Sequence, residues 1–572
     1  NIVHPEMDIF EKQQSISSSL QSVYSTTELL KSKGINSRGI RNLVKVLLQQ
    51  IENKIQETLS NSLLSRLKLP KREKAFIDIH IPADTNRLER AQKRLKFEEL
   101  FFLQFHLLKM KLTRTKRYKG FILEKVDNHF DNYFKNHLQF KLTNAQKRVL
   151  KEIRIDVRTG VQMNRLLQGD VGSGKTLVAL LSMLMAVNNN FQACMMVPTE
   201  ILAKQHFKNI SKELEKLDIK VAILTGSCKA KERKELHEQL ENGKIDILIG
   251  THALLEDKVM FKNLGFVVID EQHRFGVAQR AKLWKKSTTP PHILVMTATP
   301  IPRTLSMTLY GDLDISIIDE LPPGRKAIKT LWRSDSSRLR VNKFMHEQIA
   351  LGRQIYIVFP LIQESEKLDY KDLMDGFKAI SAEFPMPDFQ VSVVHGQMKA
   401  EDKEYEMNRF VEGITNIIVA TTVIEVGVDV PNASVMLIES AERFGLSQLH
   451  QLRGRVGRGA EQSYCILLSG HKISNEGRLR LETMASTNDG FKIAEVDLKL
   501  RGPGDMMGTK QSGMLNFKIA DILKDGKILD FARKEAIALL KEDENLEKIE
   551  NINIARAYKP YARERMGWSR IS

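Results

Sequence analysis

The sequence GDVGSGKT at residues 169–176 has the residue types and spacing of a loop that wraps a phosphate. Its glycines leave successive backbone N–H groups free to donate to phosphate oxygens, which side chains would obstruct. The helix expected after the loop adds its N-terminal dipole. Lys175 brings a positive charge to the β- and γ-phosphates, and Thr176 brings a hydroxyl to Mg²⁺. The nucleotide-binding residues expected in this loop are Gly169, Gly172, Ser173, Gly174, Lys175 and Thr176.

A pair of carboxylates further along the chain fits the same site. Phe266 to Ile269 predict a buried strand that delivers Asp270 and Glu271 at its carboxyl end, where the ligands of open α/β sheets collect. Asp270 would bind Mg²⁺ through water, and Glu271 would orient or deprotonate the attacking water. In isolation the pair could also be an acidic strand end that caps a helix. Together with the glycine loop, it predicts binding and hydrolysis of ATP.

Two further patterns extend this nucleotide site. Gln146 lies just before the glycine loop, where its amide would read the adenine edge, although a single glutamine on a helix is usually a surface residue. Arg455 and Arg458 lie three apart in a glycine-rich stretch, and planar guanidinium groups suit a phosphoryl group that gains charge. If they reach the nucleotide, hydrolysis requires two lobes to close, which gives a mechanical cycle. The spacing of the two arginines is also compatible with a second interpretation, a basic patch that contacts nucleic acid directly.

Two series of short apolar segments predict the strands that would position these residues. From about residue 140, apolar runs that end in polar or glycine-rich turns alternate with helical stretches, which predicts a parallel sheet with helices on both faces. The segment IDELPPGRKA at 318–327 predicts a linker, and a second series follows it. The chain before about residue 137 is basic and has helical periodicity. We therefore expect an α/β protein with two tandem parallel-sheet lobes.

Threonine turns are expected at the same edge of both sheets. Thr199, Thr225 and Thr251 in the first lobe and Thr422 in the second lie in polar turns after apolar runs. Such turns offer hydroxyl and N–H groups to phosphates and follow a strand without reading its bases. Each turn alone is more often a helix cap. As a set, they favour a motor that tracks a nucleic-acid strand.

The composition favours a polyanionic partner and excludes several classes of protein. Lys and Arg number 88 against 70 Asp and Glu, a formal net charge of +18, which favours nucleic acid. No window approaches 18 consecutive apolar residues, so no membrane partner is expected. The 3 cysteines lie far apart, which argues against a zinc site or disulfides and fits the reducing cytoplasm. The first residues show neither a signal peptide nor an initiator Met, so we expect a fragment of a longer protein.

Seven segments, in order, resemble the motifs of superfamily 2 helicases. They are GDVGSGKT, PTEILA, GTHAL, IDEQHRFG, TATPIPRTL, VIEVGVDVPNA and QLRGRVGR. More narrowly, IDEQHRFGVAQR, DELPPGR and DLKLRGPGDMMGTKQSG resemble the bacterial RecG family of ATP-dependent DNA helicases, which remodel stalled forks and branch-migrate Holliday junctions in DNA repair and recombination. The resemblance runs from about residue 140 to 515. It implies two RecA-like lobes, a motor of the 3′–5′ type, and use of ATP and Mg²⁺.

The resemblance also implies roles for residues outside the glycine loop. Gly427 and Asp429 would lie between the nucleotide and the strand. Gln451 would close on the γ-phosphate beside the two arginines. Thr297 and Thr299 would couple hydrolysis to movement of the DNA.

The C-terminal region resembles the family's translocation motif, a helical hairpin and loop at 490–513. In this motif, Arg501 and Gln511 would transmit the movement driven by ATP hydrolysis to duplex DNA. The family places a wedge domain, which splits the DNA arms, before a helical linker, and the start NIVHPEMD resembles the end of that wedge. We expect four parts: 1–137 as the end of the wedge with the helical linker, 138–322 as the ATP-binding lobe, 323–475 as the second lobe, and 476–572 as the translocation motif with the C-terminal region.

The expected partners are duplex and branched DNA, with single-stranded-DNA-binding protein as a further candidate. A transcription-repair coupling translocase shares the lobes and the translocation motif, but it needs a polymerase-binding domain, of which the basic helical segment gives no sign. An RNA helicase that separates strands locally is a second alternative, although VIDEQH differs from the Asp-Glu-Ala-Asp box of that group. A scaffold with an inactive ATPase site is a third, although every residue needed for hydrolysis is in place.

Overall fold

The computed structural model divides the chain into two compact units. One unit is Asn1–Met110 with Gln511–Arg570, and the other is Lys111–Lys510 with Ile571–Ser572. The structure describes residues 20–126, 129–138, 140–271, 283, 286–298, 300–309, 313–322, 325–360, 366–421, 430–457, 459, 461–505 and 517–564.

The N-terminal segment is helical, as its periodicity predicts. Its helices are α1 (Glu28–Ser32), α2 (Ser37–Gln50), α3 (Asn61–Leu67), α4 (Arg72–His80) and α5 (Thr85–Arg117). Phe97, Phe101 and Phe105 of α5 stack in succession, because residues four apart share one face of a helix. Arg94 in the same helix is fully buried and forms an ion pair with Glu57 at 2.5 Å. The long helix α5 is therefore the core element of the first unit.

The first α/β lobe is a seven-stranded sheet. Its strands lie in the order β3-β4-β2-β5-β6-β1-β7, and all neighbouring pairs are parallel. Every residue of β1, β5 and β6 is buried, as expected for a parallel sheet covered on both faces. The strands are β1 (Asn164–Gly169), β2 (Gln192–Met196), β3 (Val221–Leu224), β4 (Ile247–Gly250), β5 (Leu264–Ile269), β6 (His292–Thr297) and β7 (Asp314–Ile318).

Helices connect and cover these strands. They are α6 (His129–Asn132), α7 (Asn144–Val157), α8 (Lys175–Asn188), α9 (Glu200–Leu214), α10 (Ala230–Glu241) and α11 (Arg303–Leu309), and a π-helical turn at Tyr133–His137 follows α6. Helix α8 is apolar on nearly every side and is buried almost throughout, which is the pattern of a helix inside a core. Its N-terminus is therefore fixed rigidly at the end of β1.

The second α/β lobe is a six-stranded parallel sheet. Its strands are β8 (Lys329–Ser334), β9 (Gln354–Val358), β10 (Val391–Val394), β11 (Ile417–Ala420), β12 (Ala433–Ile438) and β13 (Tyr464–Ser469). They lie in the order β10-β11-β9-β12-β13-β8. The helices of this lobe are α12 (Arg338–Ala350), α13 (Glu366–Glu383), α14 (Ala400–Val411) and α15 (Leu446–Arg453). The six strands, taken in chain order, thus lie in the same order as β1 to β6 of the first lobe.

In the described part of the chain, four α-helices follow the second lobe. They are α16 (Asn475–Ser486), α17 (Gly490–Asp505), α18 (Gly526–Glu542) and α19 (Ile552–Glu564). Leu481, Met484 and Ile493 place α16 and α17 in the hydrophobic core of the second lobe. In the other unit, Tyr558 of α19 meets the ring of Phe105 in α5 edge to face, with ring centroids 4.9 Å apart. Helices α18 and α19 therefore belong to the same unit as the N-terminal helices, whereas α16 and α17 belong to the unit of the two lobes.

The predicted α/β architecture with two tandem parallel-sheet lobes is confirmed, with helical regions at both ends. The division into four parts at 137, 322 and 475 stays a prediction. Among the residues that the structure describes, no helix is both long enough and apolar enough to cross a membrane.

Candidate nucleotide-binding site between the two lobes

The loop between β1 and α8 has the backbone shape of a phosphate cradle. β1 ends at Gly169, and α8 begins at Lys175. Gly172 and Gly174 have φ angles of +75° and +86°, which glycine adopts without the steric cost that a side chain would impose. The loop opens onto the N-terminus of α8, where backbone N–H groups and the helix dipole favour an anion. Its glycines are therefore required by geometry.

Lys175 lies over the carboxyl edge of the first sheet. Its Nζ donates to the carbonyl oxygens of Gly169 and Asp170 at 2.7 and 2.8 Å, and only 9% of the residue is exposed. The neighbouring Thr176 is exposed, whereas Ser173 is buried. The charge of the lysine is thus held at the mouth of the loop that the sequence predicts.

Gln146 contacts the loop directly. Its Nε2 donates to the carbonyl oxygen of Ser173 at 2.9 Å, and a Cβ on Gly174 would lie 2.2 Å from the same Nε2. Its Oε1 accepts from the N–H of Thr143, whose hydroxyl accepts from the N–H of Gln146, so the two residues form a capping box at the start of α7. The sequence TNAQ contains this signature. Recognition of adenine by Gln146 stays a prediction.

Asp270 follows the last residue of β5 at the same edge of the sheet. Its Oδ2 lies 3.5 Å from Nε2 of His206 in α9. Burial acts to raise the pKa of Asp270, but the His206 hydrogen bond and the charge of Lys175 outweigh it, and the pKa lies below its ordinary value. The carboxylate is therefore held in its charged form, which is the form that binds a cation.

Glu271 has an unusual backbone and a different electrostatic environment. Its φ is +50°, in the left-handed region that few residues other than glycine adopt and that is frequent at functional sites. Burial and the charge of Asp270 raise the pKa of Glu271, and the charges of Lys175 and Arg455 act against that rise. A carboxylate with a raised pKa is a better proton acceptor near neutral pH. The division of roles between Asp270 and Glu271 stays a prediction.

Arg455 is a residue of the second lobe that lies near the acidic pair of the first. It lies just after the end of α15, is only 7% exposed, and is close enough to Glu271 for its charge to lower the pKa of that carboxylate. Gln451, within α15, is partly buried. The predicted arginine and the predicted base thus come from different lobes and lie near one another.

Two residues that sequence reasoning missed also contact the site. His206 lies in α9, the helix that begins directly after Thr199, and it reaches Asp270 as described above. Arg325, in the segment between the lobes, donates from Nη1 to the carbonyl oxygen of Val171 at 2.6 Å and from Nε to the carbonyl oxygen of Gly457 at 2.8 Å. Arg325 lies inside the motif DELPPGR, and His206 follows the motif PTEILA by three residues, so the sign available in the sequence was their position in or beside these motifs.

A small cavity of about 60 Å³ opens where the loop meets the second lobe. Apolar side chains, among them Leu321 and Ile328, line it together with charged and polar side chains and the loop backbone. The lining residues include Asp170, Val171, Arg325, His450, Arg453 and Gly454. Residues of the phosphate loop, of the segment between the lobes and of α15 therefore meet at this cavity, and most of its lining surface is apolar.

The predicted threonines of the first lobe lie after successive strand ends. Thr199 caps α9, with its Oγ1 accepting from the N–H of Leu202 at 3.3 Å. Thr225, Thr251 and Thr297 follow or end β3, β4 and β6 and are almost fully buried. Because these strands are parallel, their carboxyl ends meet at one edge of the sheet. Contact of these residues with nucleic acid stays a prediction.

Several predicted residues lie outside the described part of the chain. They are Thr299, Thr422, Gly427, Asp429, Arg458 and Gln511. Arg501 is described: it is exposed in α17, and its Nε donates to Oδ1 of Asp497 at 3.0 Å. Its predicted role in moving DNA is untested by this contact.

Three family models match successive parts of the chain. A DEAD/DEAH box helicase model matches residues 143–308, and a helicase conserved C-terminal domain model matches residues 340–460. A model described as ATP-dependent DNA helicase RecG, domain 3, C-terminal, matches residues 487–572. The first two matches fall on the two lobes, and the third begins just before α17.

Relatives that match most of the chain have the same description, ATP-dependent DNA helicase RecG. The Bacillus subtilis protein is 45% identical over 92% of this chain and 76% of its own length. The Synechocystis sp. protein is 46% identical over 93% of this chain and 63% of its own length. The solved "Structure of RecG bound to three-way DNA junction" is 42% identical, with a TM-score of 0.67, over 87% of this chain and 65% of that one. This chain therefore spans less than two thirds of the length of the Synechocystis relative.

Proposed function

We propose, since this chain belongs to the RecG family of ATP-dependent DNA helicases, that it hydrolyses ATP to move along double-stranded DNA and so remodels stalled replication forks and Holliday junctions. The observation that carries the proposal is that the second lobe reaches the phosphate loop: Nε2 of His450 donates to Oδ1 of Asp170 at 2.9 Å. The charge of Arg455, also in the second lobe, acts on the pKa of Glu271 in the first. A site assembled from two lobes makes hydrolysis depend on their closure, and opening then resets the motor.

The loop of the first lobe would bind the triphosphate. Gly172 and Gly174 hold the backbone in a shape that turns successive N–H groups toward one anion. Lys175 would exchange the carbonyl oxygens of Gly169 and Asp170 for oxygens of the β- and γ-phosphates. Gln146 would keep the loop in register through its bond to Ser173 and would meet the adenine edge.

The residues for Mg²⁺ fit that ion. Asp270 is held in its charged form by its surroundings, and Thr176 offers an exposed hydroxyl at the first turn of α8. Both would hold the ion, Asp270 through water. When bound, Mg²⁺ neutralises charge that develops on the β- and γ-phosphates.

Glu271 and the arginines would carry the chemical step. Glu271, whose pKa is raised by burial and by Asp270, would orient the attacking water and accept its proton. Arg455, together with Arg458 and Gln451, would stabilise charge on the γ-phosphate in the transition state. Gly427 and Asp429 would lie between this nucleotide and the DNA strand.

Duplex and branched DNA are the proposed partners. The formal net charge of +18 favours a polyanion, and the similar solved structure is of RecG bound to a three-way DNA junction. Thr199, Thr225, Thr251 and Thr422 would contact the DNA backbone, and Thr297 and Thr299 would couple hydrolysis to movement of the DNA. Arg501 and Gln511 would act on the duplex. Single-stranded-DNA-binding protein is a further proposed partner, and the cytoplasm is the proposed location.

One comparison of substrates tests this function. The ATPase rate is measured with a forked DNA, a linear duplex of equal length and a structured RNA, each at saturation. We expect the fork to stimulate most and the RNA least. Strongest stimulation by RNA would favour an RNA helicase, and equal stimulation by fork and linear duplex would favour a translocase of the transcription-repair type. The Glu271→Gln variant is the control for ATPase activity from other sources.

A further inference from the structure

The side chain of Asp170 connects three segments that are far apart in the sequence. Its Oδ1 accepts from Nε2 of His450 in α15 at 2.9 Å, and its Oδ2 accepts from the N–H of Gly490 at the start of α17 at 3.3 Å. The carbonyl oxygen of the same residue accepts from Nζ of Lys175 at 2.8 Å. Asp170 of the phosphate loop is therefore hydrogen-bonded to Lys175 of the same loop, to α15 of the second lobe and to α17, which packs in the core of that lobe.

The imidazole of His450 is fixed from both sides. Arg453 donates from Nη2 to Nδ1 of His450 at 2.9 Å. A guanidinium only donates, so Nδ1 accepts and the ring hydrogen lies on Nε2, which donates to Asp170. Arg453 is itself 2% exposed and donates to the carbonyl oxygens of Met484 and Thr487, at the end of α16. The orientation of His450 toward the loop is thus set by the second lobe.

The carboxylate of Asp170 is suited to this role. Burial acts to raise its pKa, but the bonds from His450 and Gly490 and the charge of Lys175 bring the pKa below its ordinary value. Asp170 therefore accepts both bonds as a charged group at neutral pH, and such bonds are stronger than those between neutral groups.

Gly490 lies against this pair without room for a side chain. A Cβ at this position would lie 2.0 Å from Oδ1 of Asp170 and 2.6 Å from Nε2 of His450. The first residue of α17 thus touches the phosphate loop and α15 at once. Any displacement of Asp170 changes the space available to the end of that helix.

Helix α17 is also fastened to α15 further along. Oγ of Ser447 in α15 donates to Oδ2 of Asp497 in α17 at 2.7 Å. Within α17, Nε of Arg501 donates to Oδ1 of the same carboxylate at 3.0 Å and so holds it in place. The two helices therefore form one packed body in the second lobe. A shift of His450 and Gly490 would move both helices rather than bend one of them.

We infer that Asp170 is a positioning residue that transmits the state of the phosphate loop to helix α17. This inference rests on the proposed function, in which Lys175 leaves the carbonyl oxygen of Asp170 to reach a phosphate. The peptide of Asp170 then changes its bonding, and its side chain carries that change to His450 and Gly490. Helix α17 is the first part of the segment 490–513 that is proposed to act on duplex DNA. Nucleotide binding would therefore be coupled to that segment through the hydrogen bond between Asp170 and Gly490.

A distance measurement in the presence of nucleotide tests the inference without DNA. Spin labels are placed at Lys234→Cys in α10 and Lys492→Cys in α17, both exposed positions, with Cys228→Ser removing the one cysteine that is not buried. A nonhydrolysable ATP analogue with Mg²⁺ should change the mean distance by at least about 2 Å. In Asp170→Asn, the analogue should still bind, but the distance should stay at its nucleotide-free value.

Two further variants sharpen this experiment. His450→Ala removes the partner of Asp170 outside the loop and should abolish the distance change in the same way, which keeps the test open if Asp170→Asn fails to fold. Lys204→Gln breaks an exposed ion pair with Glu404 that also joins the two lobes, and it should leave the distance change intact. A full change in Asp170→Asn or His450→Ala would overturn the inference, as would the absence of any change in the labelled parent protein.

The coupling of ATP hydrolysis to DNA unwinding gives a second readout. The number of base pairs unwound per ATP hydrolysed should fall about tenfold in Asp170→Asn, while the KM for ATP should change less than about threefold. A KM for ATP that rises more than the coupling ratio falls would make Asp170 an ordinary binding residue and would overturn the inference. If the parent protein fails to act on any DNA, the proposed function fails, and the distance measurement still decides on Asp170.

Discussion

Nη1 of Arg325 lies 2.6 Å from the carbonyl oxygen of Val171, so an arginine of the segment between the lobes touches the phosphate loop. Nε of the same guanidinium donates to the carbonyl oxygen of Gly457 in the second lobe at 2.8 Å. A Cβ on Gly172 would lie 1.7 Å from Nη1. The planar group thus bridges the loop and the segment that carries Arg455, a two-sided contact that lysine does not reproduce.

Arg325→Lys should lower kcat/KM for ATP about tenfold, because one directed bond to each side of the site is lost. Steady-state ATPase kinetics at saturating DNA provide the measurement. Arg340→Lys, at an exposed arginine of α12, is the matched control and should behave as the parent protein. An unchanged kcat/KM in Arg325→Lys would mean that the contact is incidental to the site.

Lys175→Ala should abolish ATP turnover, because the loop loses the charge that the sequence places at the β- and γ-phosphates. Turnover is measured as phosphate release with and without forked DNA. Lys151→Ala, at an exposed lysine of α7, serves as the control. Turnover in Lys175→Ala above a tenth of the parent rate would contradict the assignment of this loop.

Gln511→Ala should separate hydrolysis from movement. Gln511 lies outside the described residues, and its proposed role is to act on the duplex, so ATPase activity should survive while fork unwinding fails. Parallel ATPase and unwinding assays on the same preparation check this. Loss of both activities together would assign the residue to the nucleotide site.

His292 gives the first lobe a pH-dependent stability. The residue is fully buried at the start of β6; its Nδ1 accepts from the N–H of Met163 at 3.0 Å, and its Nε2 donates to the carbonyl oxygen of Phe121 at 2.8 Å. Burial lowers the pKa of His292 to about 4, although the bond to Phe121 acts in the opposite direction. Its neutral form therefore stabilises the fold fully above the ordinary pKa near 6.5, and this contribution is lost as the pH falls toward 4.

The expected loss from this residue is about 3 kcal/mol of unfolding free energy between pH 7 and pH 4. Denaturant unfolding at a series of pH values measures it. His292→Gln should remove most of that pH dependence, and His471→Gln, at an exposed histidine, should keep it. The same slope in His292→Gln as in the parent protein would show that other groups are responsible.

Features set by short, continuous stretches were accessible from the sequence. The loop GDVGSGKT follows a strand and opens a helix, as its glycines and its apolar flanks predict, because those residues determine their own backbone. The continuous apolar runs before Asp270 and Thr251 became buried parallel strands, since each run is long enough for a strand and ends in a polar turn.

Contacts between residues that are far apart in the chain could not be predicted from the sequence. Asp170 and His450 are 280 residues apart, and the bonds of Arg325 to Val171 and of His206 to Asp270 also depend on how elements pack. Local pattern carries no information about such pairs. Gln146 shows the same limit at short range: its position suggested adenine, and the structure adds a capping box and a bond to the loop.

Arg455→Ala tests the central claim most directly, namely that the second lobe completes the ATP site of the first. The affinity for a fluorescent ATP analogue and kcat at saturating ATP and forked DNA are measured on the same variant. We expect affinity to stay within about threefold of the parent value and kcat to fall at least about a hundredfold, because the arginine acts on charge that develops in the transition state. A variant that hydrolyses ATP at the parent rate would contradict a site shared between the two lobes.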